Sequence, residues 1–259
     1  MIDTNNLIKA VQTKLGLVSD GVAGPVTWQA IASKIGVVTL SDLNPVITNV
    51  ALVNTISDAA YKLILKYEVG GGEQYYNSQL KHPEFPGGSS GITIGVGYDC
   101  GYTNQAQFES DWKSLLSPDV YTTLSKHLGK TGDAAKAVVI SLKNIVIPWD
   151  SAEFVFKTRD IPRYIKETIV AFPGADKLKS DAFGALVSLV FNRGGSIIGD
   201  SRREMFAIKN AISGNTKCDN IYAYIAQQLI LMKRLWVGKN LDGLLARRDE
   251  EAALVKSCQ

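Results

Sequence analysis

The sequence predicts a mainly α protein, with a small N-terminal helical unit and a larger helical domain that carries one small β hairpin near its start. Three observations carry that expectation. Apolar residues recur at helical spacing over most of the chain from Gln105 onward. One glycine-rich stretch, Gly91 to Asp99, alternates apolar with small or polar residues instead. A turn at residues 19–24 separates two short helical patterns near the N-terminus. The 259 residues suffice for two domains, and 46% hydrophobic with 20% charged residues is ordinary for a chain that buries a large core.

Composition removes several function classes. No apolar run approaches the roughly 18 residues of a membrane span, so no membrane insertion is expected. Asp3, Lys9 and Lys14 interrupt the N-terminal apolar residues, which therefore do not read as a secretory signal. Cys100, Cys218 and Cys258 are too widely spaced for a disulfide framework or a zinc knuckle, which suits synthesis in a reducing cytoplasm. With His82 and His127 the only histidines, metal chemistry is short of ligands, and no metal or cofactor is expected. The net charge of +3 is concentrated in residues 201–259, where 10 basic residues face 6 acidic ones. That excess falls short of a nucleic-acid binder and reads as a solvated helical surface. A monomer is expected.

The first unit begins with Leu7, Val11 and Leu15 at helical spacing, a helix that Gly16 ends. The turn Ser19-Asp20-Gly21-Val22-Ala23-Gly24 then leads to Pro25, placed where the first turn of a second helix tolerates a missing N–H. This stretch, LIKAVQTKLGL…DGVAGPVTWQAI, resembles the peptidoglycan-binding module found beside many cell-wall hydrolases. Gln12, Leu15, Asp20, Gly21, Gly24, Thr27 and Ala30 keep the family pattern, and Asp20, Thr27 and Trp28 are the candidate wall contacts that the resemblance implies. Trp28 also reads as a core residue. Residues 37–53 complete the module or serve as linker, which places the domains at 1–53 and 54–259.

The second unit opens with Ser57 as N-cap of a helix whose apolar face is Ala60, Leu63, Ile64 and Tyr67, and it stops in Gly70-Gly71-Gly72. Glu68 lies in the last turn. There the negative end of the helix dipole and the apolar neighbours Tyr67 and Val69 favour the protonated carboxyl, the form a general acid needs. In Gly91–Asp99, Thr93 and Asp99 would lie about 20 Å apart along a straight strand. Gly95 and Gly97 suggest a reversal centred on Val96, which makes Thr93 and Asp99 directly opposed, about 4.5–5.5 Å apart at Cβ. A hydroxyl and a carboxylate so placed can hold one water.

The combination of YE with GGSSGITIGVGYD is similar to the phage-type lysozyme (endolysin) family, whose catalytic glutamate ends a helix ahead of a T-I-G-x-G turn. The helix ALVSLVFNRG and the closing Trp236 with GLLARRDEE resemble that family's downstream motifs. The resemblance implies a lysozyme-like α+β catalytic domain and hydrolysis of the β-1,4 bond between N-acetylmuramic acid and N-acetylglucosamine, with peptidoglycan as partner. Glu68 would protonate the leaving oxygen, and Asp99 would take a proton from a water oriented by Thr93. The order Glu68, Thr93, Asp99 resembles pesticin-type muramidases; the common family aspartate would fall at Gly87, and Glu84 is the alternative second carboxylate. Tyr98, Asn192 and Arg247 are candidate substrate contacts, with Arg247 placed near Glu68 by the resemblance and Arg248 read as a surface ion-pair partner. Tyr75, Tyr76 and Tyr102 add aromatic faces that suit sugars or packing.

Other readings differ in chemistry. A zinc amidase needs histidine spacing that His82 and His127 lack. A Cys/His peptidase would use Cys100, which otherwise reads as a small buried residue. A lytic transglycosylase would need Glu68 alone, and a non-catalytic wall-binding protein would need none of these groups. By analogy the setting is a phage endolysin made in the host cytoplasm that reaches the wall after the membrane is breached, with a secreted bacterial effector as runner-up.

Overall fold

The computed structural model describes residues 3–16, 19, 21, 23, 27, 31, 34, 52, 53, 55–70 and 72–258. The chain divides into two units, 1–49 and 50–259. It is mainly α, and among the described residues the sheet is a single two-stranded pair.

In the first unit, α1 (Thr4–Lys14) starts at Asp3, whose side chain accepts from the Asn5 N–H. Its one buried side chain is polar. Gln12 Oε1 accepts from Gly21 N at 2.9 Å and Nε2 donates to Thr27 Oγ1 at 3.1 Å. A single amide thus joins helix, turn and following segment, which is the physical content of the Gln…Gly…Thr spacing. Gly21 has φ +81°, a conformation a side chain would strain.

In the second unit, α2 (Asp58–Val69) is capped by Ser57, whose Oγ accepts from Ala60 N, and ended by Gly70 in the left-handed conformation. A helical turn (Glu73–Tyr75) and a π turn (Tyr76–Leu80) lead to the hairpin, β1 (Thr93–Ile94) and β2 (Tyr98–Asp99). The 3-10 turn Cys100–Tyr102 follows, then α3 (Gln105–Trp112), α4 (Pro118–Ser125) and α5 (Gly132–Val139). Helix α6 (Trp149–Val155) runs through a π turn (Phe156–Asp160) into α7 (Ile161–Ala171). Helices α8 (Ser180–Arg193), α9 (Arg203–Ile212), α10 (Ile221–Leu231) and α11 (Asp242–Lys256) complete the unit. Among the described residues, no helix is long and apolar enough to cross a membrane.

Helix α8 is the centre of the core. Every residue from Ala182 to Val190 is buried, and α2, α7 and α11 pack around it. A helix apolar on all sides is stable only when surrounded. It meets α2 closely at one point, where a Cβ built on Gly184 would lie 2.2 Å from Cβ of Ala60. Gly184→Ala gains about 1 kcal/mol of helix propensity. Overpacking at a buried backbone-to-backbone contact costs about 1–3 kcal/mol or more, so the clash wins. The expected outcome is a lower thermal midpoint for Gly184→Ala, partly restored in the double variant Ala60→Gly/Gly184→Ala. Equal stability of wild type and single variant would refute this packing.

Candidate active site

Glu68 sits in the last turn of α2 with its side chain 25% exposed. Arg247, on α11 and only 3% exposed, donates from Nη1 to Glu68 Oε1 at 2.8 Å. The guanidinium is held from behind: Nη2 donates to the main-chain oxygen of Ser188 at 3.1 Å and Nε to Ser188 Oγ at 3.2 Å. Its Cζ also lies 5.2 Å from the centre of the Tyr67 ring. Tyr67, Glu68 and Arg247 wall a cleft of about 520 Å³ that Phe191, Asn192, Asn240, Leu241, Asp242 and Leu244 help to line. Phe191 reaches both ways, its ring 3.9 Å from that of Tyr164 between centres while it borders the cleft.

The expected reversal is present. Thr93 pairs with Asp99 and Ile94 with Tyr98, around Gly95 and Gly97 at φ +59° and +72°. Opposed residues of an antiparallel pair share a face, so the hydroxyl and carboxylate do as well. On its other edge Thr93 forms a bridge with Glu84, through Thr93 N to Glu84 O at 2.8 Å and Glu84 N to Thr93 O at 3.0 Å. Both candidate carboxylates are therefore cross-chain neighbours of one threonine. Thr93 is buried and Glu84 exposed.

Asp99 is also a fastener. Its Oδ1 accepts from Gly91 N at 3.0 Å and Gly101 N at 2.8 Å, and its Oδ2 from Gly91 N at 3.1 Å. The two glycines are needed for this closure: a Cβ on Gly91 would lie 2.3 Å from Gly101 N, and one on Gly101 2.6 Å from Gly91 Cα. Oδ2, with its single contact, keeps a free lone pair for another donor.

The structure thus brings Glu68, Asn192 and Arg247 to one cleft and Thr93 and Asp99 to one hairpin; no hairpin residue lines the cleft. Two assignments change. Tyr98 is 1% exposed, with its ring 5.3 Å from that of Trp112 and its hydroxyl donating to Asp111 Oδ2 at 2.8 Å, so it belongs to the core and is closed to a substrate. Arg248 is fully buried and bonded to Glu251 at 2.6 Å, where a surface ion pair was expected. In the N-terminal unit Thr27 is buried against Gln12, while Asp20 and Trp28 lie outside the described residues. Of the added tyrosines, Tyr76 is buried, and Tyr75 and Tyr102 are exposed.

The thiol alternative loses support. Burial, with the Asp99 charge adding to it, pushes the Cys100 thiol up to about 12, far from the thiolate a nucleophile requires. His82 Nδ1 lies 2.8 Å from the main-chain oxygen of Ile145 and His127 Nδ1 3.0 Å from Lys130 Nζ, so each ring is engaged elsewhere. Among the described residues, no group of His, Cys, Asp and Glu side chains could hold a metal ion.

Sequence reasoning missed the groups that anchor Arg247. Ser188 was visible as a hydroxyl on an otherwise apolar helix, and Glu251 as the carboxylate four residues after Arg247 and three after Arg248. Residues 64–159 match the model of a domain of unknown function (DUF8812). That span takes in Glu68, Thr93 and Asp99 and leaves Ser188, Asn192, Arg247 and Glu251 beyond it. No curated protein matches the chain.

Two predictions follow from these bonds. Asp99→Ala strands two part-buried N–H groups and costs about 1–3 kcal/mol, whereas the amide oxygen of Asp99→Asn still accepts from both and costs less. Thermal unfolding with amide exchange at Gly91 and Gly101 checks this, and equal losses in both variants would contradict the fastening. The second concerns Asp160, buried 3.7 Å from Arg159 and 3.9 Å from Arg163. Burial raises its pKa to about 6 against the pull of both arginines. The folded state therefore holds a proton that the unfolded chain releases near pH 4, and stability declines from about pH 4 through pH 6. At roughly 1.4 kcal/mol per unit the cost at pH 7 is on the order of 2–3 kcal/mol. Asp160→Asn is expected to raise the thermal midpoint at pH 7 and to lose that advantage at pH 4.

Proposed function

We propose that the protein is a peptidoglycan hydrolase, a muramidase that cleaves the β-1,4 bond between N-acetylmuramic acid and N-acetylglucosamine. The observation that carries this reading is Glu68, a carboxylate one-quarter exposed at a cleft of mixed polar and apolar lining and fixed there by the buried Arg247. Its position in the last turn of α2, ahead of a hairpin that sets Thr93 opposite Asp99, matches the pesticin-type order, while the common phage-type aspartate position is occupied by Gly87.

In the reaction Glu68 gives its proton to the glycosidic oxygen as the C1–O bond breaks. A water held between Thr93 Oγ1 and Asp99 Oδ2 attacks C1 and passes its proton to Asp99. Such an inverting displacement uses carboxyl groups about 6.5–9.5 Å apart, wide enough to admit the water. No cofactor enters. The N-terminal unit, whose sequence resembles a peptidoglycan-binding module, holds the enzyme to the wall, with the buried Thr27 serving its fold. The biological setting is a phage endolysin, made in the host cytoplasm and acting on the wall once the membrane is breached.

One observation favours a second reading. The bonds from Gly91 and Gly101 to Asp99 engage the carboxylate structurally, which suits a lytic transglycosylase that needs Glu68 alone as acid and base. Mass spectrometry of borohydride-reduced products from purified peptidoglycan decides between them. The muramidase yields reduced N-acetylmuramitol ends, lost by about 100-fold or more in Glu68→Gln and strongly reduced in Asp99→Asn. Anhydro-muramic ends would replace it with the transglycosylase, and free stem peptides on intact glycan would dismiss both.

A further inference from the structure

Behind the cleft, Arg247 rests on a carboxylate that the reaction does not touch. Glu251 is fully buried, and its Oε1 accepts from Ser188 Oγ and from Arg248 Nη2, each at 2.6 Å, with Arg247 Nε 3.4 Å away. Glu68, Arg247, Glu251 and Arg248 form a chain of alternating charge that enters the core. Only Glu68 meets solvent appreciably, the others being 3%, 0% and 0% exposed.

The surroundings offer Arg247 and Glu251 few other charges. From α2, Tyr67 places its ring by Arg247 and gives its hydroxyl to Glu250, which also pairs with Lys66. From α8 come Ser188 and Arg193, the latter 4.8 Å from the Trp236 ring centre, a ring that Arg248 approaches to 5.8 Å. Asp242 stands at the rim of the cleft. Burial pushes Glu251 up and Arg248 down, each opposed by the charge of the other. A buried ionic group of this kind is commonly less stabilising than apolar side chains of similar volume, so stability alone does not account for it.

We propose, resting on the muramidase reading, that Glu251 is a positioning residue for Glu68. With Ser188 it fixes Arg247 so that only Nη1 reaches Glu68, and its negative charge offsets the guanidinium. An unbalanced cation at 2.8 Å from the acid would favour the ionised carboxylate, the wrong form for proton donation near neutral pH. Glu251 allows one arginine to orient the acid without stripping its proton.

The test uses the full chain and three variants. Glu251→Gln keeps shape and acceptor but removes the charge, Arg248→Met removes the opposing charge, and Ser188→Ala loosens Arg247 without changing charge. For Glu251→Gln the expected result is a kcat at pH 7 lower by about tenfold or more, KM within about twofold, and an alkaline limb of the kcat profile moved to lower pH. Arg248→Met removes the charge that keeps Glu251 ionised against burial and so moves that limb the same way, and Ser188→Ala lowers kcat while the limb stays. If Glu251→Gln does not fold, a shifted limb in Arg248→Met beside a fixed limb in Ser188→Ala carries the test. Carboxyl NMR of carbon-13-labelled protein follows Glu68 without substrate, and its titration midpoint should move with the limb. A wild type that releases no muramitol ends refutes the muramidase reading alone. Variants that melt earlier while the profile and the Glu68 titration stay fixed overturn the positioning role, leaving Glu251 a structural residue.

Discussion

The approach of α2 to α8 at Ala60 and Gly184 sets the geometry of everything near Glu68. With no side chain at 184 and a methyl at 60, the two helices come closer than a side chain at both positions would allow. Ser188 is one helical turn beyond Gly184 and Glu68 two turns beyond Ala60, so this seam carries both toward the same end of the helix pair. Helix α11 packs on both helices and sends Arg247 into the gap, where Ser188 and Glu68 supply acceptors on opposite sides of one guanidinium. A planar group with fixed donors suits that task in a way a lysine would not. The position of the candidate acid is thus decided by packing first and by the ion pair second.

The hairpin is governed by a different constraint. Gly91 and Gly101 meet backbone to backbone, and the Asp99 carboxylate spans their N–H groups. The strands are two residues each, too short to persist as an isolated pair. Side-chain closure at the base does what strand length does elsewhere, and Tyr98 adds an anchor to Asp111 beneath Arg159, whose Cζ lies 4.3 Å from the ring centre. Asp99 is held in one orientation beside Thr93 as a consequence. A carboxylate that fastens a turn and also accepts a proton need not divide its oxygens equally, and here Oδ1 takes two donors while Oδ2 takes one.

Much of this was legible in the sequence where local rules dominate. Glycines at 95 and 97 implied a reversal at Val96, and symmetry about that point gave the register of Thr93 with Asp99. Ser57 and Gly70 marked the ends of α2 because capping and left-handed backbone are properties of single residues. Where the chemistry lies in pairs distant in sequence, the reading failed. Arg248 looked like a solvent-facing charge because nothing local says that Met232 and Trp236 close over it. Tyr98 was the opposite case: its alternation with Ile92, Ile94 and Val96 already placed it on the apolar face, and the expectation of a sugar contact set that aside. Glu84 gained its place beside Thr93 only through the loop that returns residues 84 and 93 to one bridge.

The two constraints make the candidate chemistry separable. The acid side depends on helix packing and a buried charge chain reaching from Glu68 to Arg248, while the water side depends on a glycine contact and one carboxylate. Loosening the Gly91–Gly101 contact leaves the guanidinium of Arg247 where α8 and α11 hold it. Disturbing Glu251 leaves the hairpin register untouched. The charge chain also explains why an arginine so close to a proposed proton donor is tolerable: its field is shared between two carboxylates, one of which never leaves the core. Arg247 and Glu251 stand four residues apart on α11, so the cation that orients the candidate acid and the carboxylate behind it come from one turn of one helix.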